Sequence, residues 1–102
     1  MPAVARAGKD SIATGHKCSG SAGIATGGSS SKVFVNGEPA TVLGTQIKTH
    51  SIKVGRKCRP HGASVKAGSS KVSCEGKPIS RIGDSADKGS IKSGSNNVFA
   101  GG

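Results

Sequence analysis

The sequence predicts a small all-β protein, with little or no helix, built from three β-hairpin repeats. Its 17 glycines separate short runs rich in Val and Ile, which is typical of strands joined by tight turns. The chain also repeats itself about every 38 residues. In no window do apolar residues recur at the i, i+3, i+4, i+7 spacing of a helix, and Pro and Gly interrupt each stretch that would propagate one.

The internal repeat divides the chain into three copies, at about residues 2–38, 39–77 and 78–102. The copies open with PAVARAG, PATVLG and PISRIG, so that Pro2 corresponds to Pro39 and Pro78. Each copy continues into a Gly/Ser turn and a short apolar strand, and the third is the shortest. A unit of this length cannot bury its own apolar face. We therefore expect one domain over residues 1–102, with no fused effector domain.

The ends of the apolar strands predict the hairpins. KVFVNG and KVSCEG finish in Asn-Gly and Glu-Gly, and Asn-Gly is a strong signal for a turn with positive φ. Each turn leads into a strand that begins with Pro, in EPATVLG and KPISRIG. Three such hairpins around a pseudo-threefold axis would form a compact body with little core near its narrow end.

The composition limits the size of the core. The chain has no Trp, no Tyr and two Phe, so the side chains that usually dominate burial are nearly absent. It shows no secretory signal and carries three cysteines, which favours synthesis in the cytoplasm and argues against a disulfide framework. The remaining roles for the cysteines are metal ligation and burial as free thiols. Cys74 occupies the strand position that Val35 fills in the first copy, which predicts a small buried apolar side chain.

The formal net charge is +10, from 15 Lys and Arg against 5 Asp and Glu. Nucleic acid or an anionic membrane is therefore a partner to consider. The basic residues are mostly single, with one cluster at Arg56–Arg59, and no aromatic residues alternate with them for base stacking. A solvated surface is the preferred interpretation. A small basic zinc-binding module that contacts nucleic acid is the alternative.

The histidines and one thiol predict a structural zinc site. Structural zinc takes four tetrahedral ligands from thiolate and imidazole, and it stabilises folds whose cores are too small. His16 lies in TGHKC of the first copy and His50 in KTHS of the second, both in loops after the Pro-led strand. CRPHG adds Cys58 and His61, which a tight turn at Pro60 would place on one metal. The matching segment of the third copy, ADKGS, offers no ligand in this alignment.

Two alternatives to this zinc site were weighed. Cys18 competes with Cys58, because His16-x-Cys18 also pairs a thiol with an imidazole; the two-residue spacing of the other pair favours Cys58. A catalytic zinc needs an open coordination position and a general base. The five acidic residues lie outside the predicted ligand loops. The sequence therefore predicts a protein that is not an enzyme.

The repeat openings, the turns SSKVFVNG, GSSKVSCEG and GSNNVFAG, and the order His, His, Cys-x-x-His together resemble the PAAR-repeat family. The resemblance covers essentially the whole chain. It implies a conical β protein of three pseudosymmetric repeats with one structural Zn²⁺ near the apex. Carried over to this chain, the family's three His and one Cys are His16, His50, Cys58 and His61. The chain departs from the family's Ala-Arg-x-Gly-Asp repeat start, because Thr45 replaces the Asp and Lys9 is inserted before Asp10.

The resemblance also implies a function and a location. Members of the family cap and sharpen the trimeric β-helical spike of contractile injection machines, as in a phage baseplate or a VgrG-type spike of type VI secretion. We therefore expect one monomer per spike trimer, transient contact with the target cell envelope, no specific nucleic acid and no stable membrane association. The protein would be made in the bacterial cytoplasm and would end at a virion tail tip or in a target cell.

Overall fold

The structure is a computed structural model that describes residues 2–15, 18 and 20–101. Its regular elements are all strands, and no helix occurs in these ranges, which confirms the predicted all-β class. The ten strands are β1 (Ser11–Ala13), β2 (Ser21–Gly23), β3 (Phe34–Val35), β4 (Glu38–Pro39), β5 (Gln46–Val54), β6 (Lys57–Ser64), β7 (Ser73–Cys74), β8 (Lys77–Pro78), β9 (Ser85–Ala86) and β10 (Gly89–Ile91).

The centre of the fold is a closed ring formed by the openings of the three repeats. The amide of Ala5 donates to the carbonyl of Ser80 (3.0 Å), Ser80 donates to Thr41 (2.8 Å), and Thr41 donates back to Ala5 (3.1 Å). Each segment thus pairs with both others. The flanking antiparallel bridges repeat the same cyclic order: Val4 with Arg81, Arg6 with Ala40, and Val42 with Ile79.

Two two-stranded hairpins and one pairing of distant chain segments lie at one end of this ring. β3 pairs with β4 and β7 pairs with β8, across turns in which Asn36 and Glu75 have φ values of 53° and 54° and the following glycines are also positive. The hairpins predicted at KVFVNG and KVSCEG are confirmed, whereas a pairing of two distant segments takes the place of the third. The third pairing joins the two ends of the chain, because Ala3 lies opposite Phe99 and the Ala100 amide donates to the Pro2 carbonyl.

The register of the repeats differs by one residue from the sequence alignment. Ala3, not Pro2, is equivalent to Pro39 and Pro78, since the amides of Leu43 and Ile82 donate to the carbonyls of Pro78 and Ala3 in corresponding bonds. The reason is that the first copy has seven residues from its proline to its glycine, where the others have six. Equivalent positions in the three repeats therefore lie at the same distance from the closing glycine and not from the opening proline.

A cycle of serine side chains closes the hairpin end. Each of three equivalent serines accepts from backbone amides two and three residues later, and it donates to the hairpin turn or chain end of another repeat. The hydroxyl of Ser30 donates to the Glu75 carboxylate, that of Ser69 to the Gly101 carbonyl, and that of Ser95 to the side-chain oxygen of Asn36. Three units therefore lock one another in a cycle whose donors run in the opposite direction to those of the ring.

The core forms two layers along the molecule. The lower core, next to the hairpins, contains Val4, Val35, Ala40, Val42, Cys74, Ile79 and Ala100. Cys74 is 5% exposed, as predicted, and burial, with a further contribution from the charge of Glu75, raises the pKa of its thiol. The upper core contains Ala5, Ala7, Ile12, Ile24, Ile47, Val65, Ala86 and Ile91.

The upper core is also arranged in three equivalent pairs. Its backbone pairings are Ile12 with Ile91, Ile24 with Ile47, and Val65 with Ala86, and each joins two different repeats. β2, β1, β10 and β9 form a four-stranded sheet in that order, and β5 and β6 form a separate long hairpin. The molecule measures 42 × 23 × 22 Å, so the layers succeed one another along an elongated body.

Candidate metal centre

Two loops of unequal length meet beyond the upper core. The β5–β6 hairpin of the second repeat places His50 directly opposite His61. A break in register between Ile47 and His50 sets this pairing. The β9–β10 turn of the third repeat contributes Asp87, which has a φ of 57°, a conformation that Asp tolerates better than most residues. His16 of the first repeat lies outside the described residues.

The three side chains contact one another closely. Nε2 of His50 lies 2.6 Å from Oδ2 of Asp87, and Nε2 of His61 lies 3.2 Å from Oδ1 of the same carboxylate. The two imidazole rings are edge to face, with centroids 5.2 Å apart. The side chains of His50 and Asp87 are 4% and 6% exposed, whereas that of His61 is 31% exposed. Solvent therefore reaches the group from the side of His61.

The proton on His50 can be assigned from its second contact. Nδ1 lies 2.9 Å from the carbonyl oxygen of Lys48, and a carbonyl can only accept, so Nδ1 carries a proton. In the neutral ring Nε2 is then an acceptor that faces a carboxylate oxygen. Two acceptors at 2.6 Å repel each other. The contact therefore requires either a proton shared between Nε2 and Oδ2, carried by the imidazole or by the carboxyl group, or a metal ion.

These three residues could hold a metal ion. One ligand atom from each of His50, His61 and Asp87 lies within 4.8 Å of the others. Imidazole nitrogen and carboxylate oxygen are both ligands for divalent transition metals, zinc among them. The Lys48 carbonyl fixes the tautomer of His50 in the way that outer-shell partners orient metal-bound histidines.

The structure brings together two of the four predicted ligands, His50 and His61. Cys58 forms a disulfide with Cys18, so the expectation that the chain contains no disulfide is wrong for this pair. A disulfide sulfur is not a thiolate. A ligand role for Cys58 stays a prediction for the reduced chain, and the role of His16 also stays a prediction.

Strand geometry explains why the Cys-x-x-His spacing wrongly predicted that Cys58 and His61 lie in one tight turn. The prediction placed Cys58 and His61 in a tight turn at Pro60, but β6 runs extended through all three. Successive side chains of a strand point to opposite faces, so residues three apart lie on different faces of the hairpin. His61 shares a face with His50, whereas Cys58 lies on the opposite face and is joined there to Cys18.

Asp87 is the site residue that sequence reasoning missed. The alignment matched Gly89 to the histidines and placed all five acidic residues outside the ligand loops, and for Asp87 this is wrong. One signal was present: in ADKG a two-residue turn connects β9 to β10, so the side chain at Asp87 must lie at the loop end of the third repeat. The sequence could not show that the long second-repeat hairpin would reach this turn.

The other buried carboxylates belong to the scaffold. Burial acts to raise the pKa of Asp10, but hydrogen bonds and charge from Arg6, with a further bond from Ser93, outweigh it and hold the pKa below its usual range. Asp84 makes the equivalent clamp with Arg81, whereas the Thr45 hydroxyl accepts from Val42 in the second repeat. These clamps close the turn that follows each ring strand.

The described part of the chain has no helix long and apolar enough to cross a membrane. No protein-family model matches the sequence, and a search of curated proteins found no match either.

Proposed function

We propose that this protein is a spike-tip protein of the PAAR-repeat type, which caps the end of a trimeric β-helical spike in a contractile injection machine. The observation that carries the proposal is the closed ring of backbone hydrogen bonds through Ala5, Ser80 and Thr41. One chain that presents three similar faces in cyclic order suits a partner with threefold symmetry. The role is mechanical and not enzymatic.

The hairpin end of the molecule supports docking to such a partner. Phe34 and Phe99 are 58% and 48% exposed and occupy equivalent strand positions, and Ser73 fills the third. Val33 and Val72, also equivalent, are exposed beside them. We call Val33, Phe34, Val72 and Phe99 the base surface. Exposed apolar residues grouped in this way typically mark a site of protein contact, and their arrangement around the ring would suit the blunt end of a trimer.

The opposite end supports a structural metal. We propose that one Zn²⁺ is held by His50, His61 and Asp87, with His16 as the expected ligand from the first repeat. The ion would crosslink loops that lie beyond the upper core, where apolar packing is thin. The protein would be made in the bacterial cytoplasm, and it would then reach a virion tail tip or a target cell, where its contact with the envelope is transient.

Co-purification with a trimeric spike β-helix protein from the same genome tests the proposal. One chain should bind per trimer, and Phe34→Glu with Phe99→Glu should abolish binding because both charges would be buried in the contact. Val54→Glu is the matched control, since Val54 is 53% exposed but lies at the tip of the β5–β6 hairpin. Equal loss of binding in the control, or a stoichiometry of three chains per trimer, would contradict the docking proposal.

A further inference from the structure

The β5–β6 hairpin extends past the candidate metal centre. Beyond the pairing of His50 with His61 its register continues through four further pairs to a turn at Gly55 and Arg56. All residues from 53 to 60 are exposed. The long hairpin is specific to the second repeat, because the corresponding turn of the third repeat closes after two residues. We call residues 52–59 the hairpin tip.

The hairpin tip concentrates positive charge. Residues 46–64 contain five Lys or Arg and no Asp or Glu. Four of the five, Lys53, Arg56, Lys57 and Arg59, lie in the tip. Asp87, the carboxylate that contacts this hairpin, faces the two histidines and not the tip. The fold therefore places the basic cluster of the sequence, together with Lys53, on one narrow projection, where these charges produce a local positive potential.

Apolar side chains lie among these cations on one face. Residues directly opposite in an antiparallel pair point to the same side of the hairpin. Val54 pairs with Lys57, and Ile52 pairs with Arg59, on the face that carries His50 and His61. Val54 is exposed and Ile52 is half-buried. The face thus presents aliphatic side chains flanked by long cationic ones.

We propose that the hairpin tip binds the anionic, phosphate-bearing surface of a lipid bilayer, reversibly and in a salt-sensitive manner. Cations near an anionic leaflet are attracted to its headgroups, and an exposed aliphatic side chain between them can enter the interface. Nucleic acid is disfavoured by the same observations, because the tip has no aromatic side chain on which bases could stack. The inference is independent of what binds the base surface.

Co-sedimentation of the full, disulfide-bonded chain with vesicles tests the inference. We expect binding to vesicles of equal parts phosphatidylcholine and phosphatidylglycerol, and not to pure phosphatidylcholine. Arg56→Glu with Lys57→Glu should weaken binding at least about tenfold, since each cation near an anionic surface contributes measurably. Lys71→Glu with Lys92→Glu changes the net charge equally at exposed positions outside the hairpin. This control should bind the anionic vesicles with an affinity within about twofold of that of the unsubstituted protein.

Further measurements separate the lipid partner from its alternatives. Val54→Ser should weaken vesicle binding at physiological salt and leave it nearly unchanged at low salt. Salt screens the attraction between the cations and the headgroups but not the aliphatic contact, so binding depends more on Val54 as the salt concentration rises. Lys57→Glu with Arg59→Glu repeats the charge test in a second variant, and circular dichroism checks the fold of each. Equal binding to both vesicle types, equal loss in the Lys71/Lys92 control, or tighter binding to duplex DNA than to the anionic vesicles would each overturn the inference.

Discussion

At the scale of single residues, the 2.6 Å contact between Nε2 of His50 and Oδ2 of Asp87 requires a shared proton or a metal ion between two atoms that both accept. The types of residue that gather here were partly predictable, because histidines in loops of equivalent repeats indicate a metal site. Asp87 was not predictable, since its role depends on how far the β5–β6 hairpin reaches. Local spacing also misplaced Cys58, because it does not distinguish a turn from an extended strand.

We expect Asp87→Asn to bind Zn²⁺ at least about tenfold more weakly than the natural protein, because loss of even an outer-shell partner typically costs that much. The amide keeps the size of the side chain and removes its charge. Titration of metal-free protein with Zn²⁺ provides the measurement. Glu38→Gln, at the half-buried carboxylate of β4 in the hairpin end, is the control. Equal affinity in both variants would remove Asp87 from the site.

Asp10→Asn should lower the free energy of unfolding at neutral pH by roughly 3 kcal/mol, as expected when one partner of a buried ion pair is removed. Asp10 accepts from the Arg6 guanidinium and amide and from Ser93. Its pKa is lower in the folded state, so its stabilisation is present above the unfolded-state pKa and is lost as pH falls through the folded one. Denaturant unfolding as a function of pH should show the difference shrinking in acid; a constant difference would contradict this.

Thr41→Val should leave the stability unchanged or raise it by up to about 1 kcal/mol. The Thr41 hydroxyl is fully buried and has no hydrogen-bond partner among the described residues. Ser80 occupies the equivalent ring position, but its hydroxyl donates to the Ala67 carbonyl at 2.8 Å. Ser80→Ala should therefore destabilise by about 1 kcal/mol or more. Urea unfolding of the two variants compares them directly, and a larger loss in Thr41→Val would mean that its hydroxyl has a partner.

At the scale of elements, one glycine ends each ring strand. Gly8, Gly44 and Gly83, the closing glycines of PAVARAG, PATVLG and PISRIG, have φ values of 82°, 91° and 93°. Hairpins β3–β4 and β7–β8 were predictable, since their turn residues determine the backbone conformation locally. The length of β5 and β6 was not, because Pro60 and Gly62 within β6 indicate a break that the pairing with β5 overrides.

Gly44→Ala should destabilise the fold by roughly 1–2 kcal/mol, the cost of a left-handed conformation for an L-residue. A Cβ at this position would have open space, so the cost comes from the backbone alone. Gly62→Ala is the matched control, because its φ is not in the positive range and its Cβ would also meet nothing within 4 Å. Thermal unfolding followed by circular dichroism measures both. Similar losses at the two sites would show that backbone conformation is not the cause.

At the scale of the whole molecule, the three-part architecture was predictable from the repeat alone. How the ring closes was not, because the pairings of Arg81 with Val4 and of Phe99 with Ala3 join segments that no local pattern connects. The disulfide could not be predicted from the sequence either. Three cysteines allow three pairings or none, and the choice of Cys18 with Cys58 depends on the face of β6 that meets the loop after β1.

Reduction of the Cys18–Cys58 disulfide should lower the free energy of unfolding by up to about 4 kcal/mol, since the bond closes a long loop with a sequence separation of 40. Urea unfolding with and without a thiol reductant measures this. The variant with both Cys18→Ser and Cys58→Ser should be insensitive to reductant, whereas Cys74→Ser should keep the full effect. An unchanged midpoint on reduction would indicate that the crosslink does not constrain the unfolded chain.

The pairing of the first residues with the last ones also constrains when the protein can fold. Residues 2–4 complete the hairpin end only with residues 98–100, and Ala5 enters the ring only when Ser80 is available. A nascent chain on the ribosome therefore lacks partners for its residues 2–4 until residues 98–100 have been synthesised. Contacts of such large sequence separation fold slowly. We expect Val4 to remain exposed to chaperones until residues 81–98, which contain its pairing partners, have left the ribosome.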